Sequence, residues 1–140
     1  MIKKIIFLFV VFFPIFSFAE VFEGEYRRDY SKISDEEERY IETGLVRVEE
    51  LELGKIYFSI SAAAGTAAEI HSSQVRATIP VSGNTATYID QNKRCALKLT
   101  FLQDRVNVEQ DISYGNCGSS VYYKGVYLRS QTTEYRATQD

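Results

Sequence analysis

The sequence predicts an all-β protein: about eight antiparallel strands forming an up-and-down barrel or a strongly bent meander, with one disulfide. Three observations point there. Beyond Glu20, short runs of alternating apolar and polar residues recur roughly every ten residues with turn residues between them, and helical periodicity is almost absent. Two cysteines, Cys95 and Cys117, both follow a hydrophobic leader, and an even count in an exported chain reads as one disulfide. Finally, the two ends carry the same phrase: "EGEYRR" at Glu23–Arg28 and "KGVYLR" at Lys124–Arg129 share Gly-x-Tyr-x-x ending in arginine.

Residues 1–19 form a secretory signal peptide: Lys3 and Lys4 open it, an apolar run spans Ile5–Phe18, and Ser17-Phe18-Ala19 is a small-residue ending with cleavage expected before Glu20. Residues 20–140 then make a single domain, too short for two. A first strand covers Val21–Tyr30. The acidic connection "SKISDEEER" follows, with Ser34 and Glu37 at capping-box spacing. A second strand, about Gly44–Leu51, pairs across "ELGK" with a third, Lys55–Ala63, in which Ile56, Phe58, Ile60 and Ala62 share one face.

"AAAGTAA", Ala62–Ala68, is a small-residue turn or close-approach segment. The next strand, about Ser72–Val81, ends at Pro80, whose missing N–H marks an edge or a bulge. "SGN" at Ser82–Asn84 is hairpin punctuation before a short strand, Thr85–Asp90. Arg94–Leu102 and Val106–Ile112 follow, and Val121–Arg129 closes the chain. A closing meander pairs its first strand with its last, so Gly24 and Gly125 are read as seam glycines that permit coiling, with Tyr26 and Tyr127 flanking them.

Composition narrows the function. Losing Lys3 and Lys4 with the leader leaves 14 of the 16 basic residues against 19 acidic ones, a net charge of −5. Such a chain repels nucleic acid and favours a basic protein partner, and once the leader is removed nothing holds it in a membrane. His71 is the only histidine, no paired-cysteine or H-x-x-x-H spacing occurs, and there is no phosphate-cradling glycine loop or G-x-S-x-G elbow. No metal, cofactor or catalytic residue is expected, and the protein is read as a non-enzyme. Binding is expected at loops and exposed aromatics: Ala64, Gly65 and Thr66; Asp35, Glu36 and Glu37; and Tyr114, Tyr122 and Tyr123. Tyr122 and Tyr123, being adjacent in a strand, point to opposite faces.

The run "CALKLTFLQDRVNVEQDISYGNCGSSVYYKGVYLR", Cys95–Arg129, couples Cys117-Gly118 to Gly125-Val126-Tyr127. In general form the chain resembles the periplasmic lysozyme inhibitors. The resemblance implies an eight-stranded barrel that blocks a cell-wall hydrolase by inserting a loop into its cleft. "SAAAGT" at Ser61–Thr66 and "YKG" at Tyr123–Gly125 stand for that family's two motifs, the first without its tyrosine. Periplasmic or secreted location, with lysozyme inhibition or toxin neutralisation, is the expected role. The alternatives are a lipocalin-like carrier of a small ligand and an envelope structural component.

Overall fold

A computed structural model describes residues 22–33 and 38–130. The fold is an eight-stranded antiparallel barrel, closed in sequence order: β1 Gly24–Ile33, β2 Arg39–Glu50, β3 Lys55–Thr66, β4 Glu69–Ser82, β5 Thr85–Asp90, β6 Cys95–Phe101, β7 Arg105–Gln110 and β8 Gly125–Arg129. β1 pairs with β8 at Tyr26↔Arg129 and Arg27↔Leu128, so the barrel expectation holds over the open meander. The disulfide Cys95–Cys117 is formed. The leader and the Ser34–Glu37 capping box lie outside the described residues.

The barrel has one tall wall and one short one. Strands β1 to β4 run 10 to 14 residues, whereas β5 to β8 run 5 to 7. The start of β1 and the end of β8 lie at the lower rim, where Phe22 stacks on Phe101 with ring centroids 4.6 Å apart. At the upper rim β1–β4 project above their neighbours, and residues 111–124 cross the mouth beside them as a plug. Side chains fill the interior: Tyr26, Phe58, Phe101, Tyr123 and Tyr127 are all fully buried. Alternation explains this, since Ile56, Phe58, Ile60 and Ala62 point inward and the residues between them outward.

Several boundaries differ from expectation: β1 runs on to Ile33, β2 starts at Arg39 instead of about Gly44, β4 at Glu69 instead of about Ser72, and β7 ends at Gln110, while two further differences shape the upper rim. Ala62–Thr66 continues β3 instead of forming a loop, and only Ala67 and Ala68 turn the chain, because the whole run keeps its register with β2 and β4. The small side chains serve close approach, as the second reading of that segment held. The row Arg28, Gly44, Ala62, Ser73 faces the plug, and a Cβ on Gly44 would stand 2.5 Å from the Tyr127 ring. Conversely, Val121–Lys124 is not strand. Its Tyr123 N–H donates to the Gln110 side chain at 2.8 Å in place of a neighbouring strand, and pairing resumes only at Gly125, whose φ is 155°.

Pro80 does what its chemistry requires. β4 pairs with β3 from Glu69 to Pro80 but with β5 only at Val81↔Ala86 and Ser82↔Thr85. The next ladder bond to β5 would need the N–H that proline lacks, and the two strands part there.

The echoed phrase is a two-fold clasp at the seam. Arg28 lies over the Tyr127 ring, 5.3 Å from its centroid, and Arg129 lies over Tyr26 at 5.0 Å. Arg28 donates to the carbonyl of Lys124, the residue before Gly125; Arg129 donates to that of Glu23, the residue before Gly24. Tyr127 OH donates to Tyr123 O at 2.5 Å and Tyr26 OH to Phe22 O at 2.7 Å, each four residues back. Each Gly-x-Tyr-x-Arg unit thus places its tyrosine under the other's arginine. Gly125 is needed for this, because a Cβ there would stand 2.5 Å from the Arg28 side chain.

An alkaline limit on stability follows. Burial pushes the Tyr127 hydroxyl from the usual 10.0 up to about 12, with Arg28 pulling the other way, and burial also raises Tyr26 and Tyr123. The native state therefore keeps a proton that the unfolded chain releases above pH 10. Stability is full below that value and falls as pH rises through about 12, by up to roughly 3 kcal/mol from Tyr127 alone. Urea midpoints measured from pH 8 to 12 should fall across this window, and the fall should be shallower in Tyr127→Phe.

Candidate protein-binding face

The tall wall presents two surfaces above the barrel mouth. On the plug side, cross-strand pairing puts Tyr30, Glu42, Ala64 and His71 in one row and Lys32, Tyr40, Thr66 and Glu69 in the next. Tyr30 and Tyr40 are diagonal neighbours there, 51% and 36% exposed, and Tyr122 on the plug is likewise 51% exposed. On the outer side, Ile41, Gly65 and Ile70 form a row whose two isoleucines are exposed, with Ile33 beside it.

The tyrosine platform is tied to the plug. Tyr40 OH donates to Glu42 at 3.1 Å; the other Glu42 oxygen lies 3.5 Å from Arg28; and Arg28 donates to the carbonyls of Lys124 at 2.7 Å and Tyr122 at 3.3 Å. Tyr123 OH and Ser73 Oγ add a hydrogen bond between wall and plug. Partial burial, followed by the bond to Glu42, raises the Tyr40 hydroxyl above its usual value. Tyr40 thus has its hydroxyl fixed by Glu42, and with the exposed rings of Tyr30 and Tyr122 it gives the platform aromatic area of the kind common at protein interfaces.

The plug itself is stapled to the short wall. The disulfide joins Cys117 to the start of β6, Gln110 Nε2 lies 3.6 Å from the Cys117 sulfur, and Gly115 packs so closely that a Cβ would be 2.1 Å from the Arg94 carbonyl. Cys117 adopts φ 59°, a left-handed conformation uncommon among residues that carry a β-carbon.

The expected binding residues divide as follows. Ala64 and Thr66 join the platform, as strand residues, whereas Gly65 falls on the outer row. Tyr122 is available and Tyr114 is half-buried in the plug. Tyr123 is fully buried and is corrected from a contact residue to the pin that locks plug to wall. Asp35, Glu36 and Glu37 lie outside the described residues. Gly24, Tyr26, Gly125 and Tyr127 sit at the seam as expected. Tyr30, Tyr40, Glu42 and Arg28 were missed. The two-residue period Tyr40, Glu42, Gly44, Val46 would have placed them on the inner face, but charge and exposed Ile41 hid it.

A groove of about 620 Å³ runs along the outer surface of the tall wall, lined by small side chains such as Thr43, Ser61, Ala63 and Ser72. Comparison of the chain with family models, with curated proteins and with solved structures returned no match.

Proposed function

We propose that the protein is an exported, non-enzymatic binding protein that blocks another protein, first a cell-wall hydrolase such as a lysozyme and second a toxin. The observation that carries this reading is the combination of a barrel filled by its own aromatic side chains with three exposed tyrosines held above its mouth. A carrier keeps room for its ligand inside, and an eight-stranded barrel has little to spare once filled. A protein ligand needs only the surface. Lysozymes are typically basic and this domain is acidic, which favours their encounter.

The test is a titration of residues 20–140, disulfide formed, against a panel of lysozymes, following cell-wall lysis. Inhibition should reach completion at one inhibitor per enzyme and weaken as salt is added, the mark of charge-assisted association. Lysis unaffected at a large molar excess for every member would remove the lysozyme assignment.

A further inference from the structure

From the unpaired edge of β4 we infer that the protein forms a two-fold dimer by antiparallel pairing of β4 with β4 of a second copy. In an antiparallel ladder, alternate residues turn their N–H and C=O to the same neighbour. Val81 donates to Gly54 on the β3 side, so the odd-numbered residues of β4 face β3. The even-numbered ones, Ile70, Ser72, Gln74 and Arg76, therefore aim both backbone groups at the β5 side. Among the described residues no strand stands there. Continuing the β4–β5 register brings Asp90, the last residue of β5, opposite only Ala77. Ile70, Ser72, Gln74 and Arg76 are all exposed, and among the described residues no loop or side chain bonds to their backbone.

The edge is long and almost unprotected. Natural sheets blunt such edges with lysines, bulges or a covering segment, yet Ile70–Arg76 carries one charge, Arg76, and Pro80 guards only the end where β5 begins. What fits it is itself. Pairing about an axis at Ser73 sets Ile70 against Arg76 of the second copy and Ser72 against its Gln74. No like charges meet, and about eight main-chain hydrogen bonds satisfy both edges at once. Arg76 lays its aliphatic stem along the exposed Ile70 of the other copy. The two tall walls then make one continuous sheet, leaving both tyrosine platforms free.

The experiment measures molar mass by light scattering or sedimentation against concentration. The wild type should pass from one chain to two as concentration rises into the high micromolar range, since so short an interface is weak. Ser72 and Gln74 point outward and touch no core, so S72K/Q74K should keep the melting temperature and remain monomeric. S72E/Q74E should behave the same way, and mixing the two should restore a mixed dimer. A wild type that stays one chain to about millimolar concentration, or a dimer indifferent to both variants, overturns the inference.

Discussion

Gly44→Val should lower the urea midpoint more than any other single substitution. Gly44 is buried in β2 and is not among the glycines at positive φ, so the cost is steric and not conformational. A Cβ there would meet Tyr127 at three ring atoms, the nearest at 2.5 Å. Tyr127 cannot yield. Its hydroxyl is bonded to Tyr123 O, its face is covered by Arg28, and it is fully buried. Overpacking at a site that cannot relax costs roughly 3 kcal/mol or more, a large part of a small domain's stability. Urea denaturation of Gly44→Ala and Gly44→Val should show graded losses. Gly54→Ala, at a turn with nothing within 4 Å, serves as a comparison in which only its φ of 69° opposes the change.

Loss of the disulfide, by Cys95→Ala with Cys117→Ala, should be the second large effect. The bond spans a sequence separation of 22, for which the chain-entropy relation gives about 3 kcal/mol. The location adds a structural consequence. Cys117 anchors the plug whose Tyr123 and Val121 fill the barrel mouth, and Gln110 bonds both the Cys117 sulfur and the Tyr123 N–H. Without the bond, amide exchange should accelerate first in residues 111–124 and only later in β2 and β3. Uniform acceleration along the chain would show instead that the staple acts on the unfolded state alone.

Much of this fold was legible because strand alternation, turn residues and a paired cysteine count are all local signals. The positions of Ile56, Phe58, Ile60, Leu97, Leu99 and Phe101 follow from period two alone. Pro80 could be assigned to an edge because a missing N–H is a property of the residue itself. The seam was legible through repetition, although the exchange of arginines between the two phrases depends on barrel closure and is invisible in one dimension. The upper face was the least legible part. Ala62–Thr66 reads as a loop by composition, yet its register with two neighbours keeps it strand, and its row-mates Gly44 and Ser73 meet Tyr127 and Tyr123, two tyrosines far along the chain. Tyr30 and Tyr40 lie among charges, and only the pairing of β1 with β2 brings them together.

The measurement that tests the proposed role of this face most directly is lysozyme inhibition by the double variant Tyr30→Ala/Tyr40→Ala beside the wild type. Both rings are exposed, so the variant should retain the wild-type melting temperature while its inhibition constant rises at least tenfold, the loss of about 1.4 kcal/mol that even a modest interface tyrosine contributes. A folded variant that inhibits as well as the wild type would contradict the platform as the binding surface.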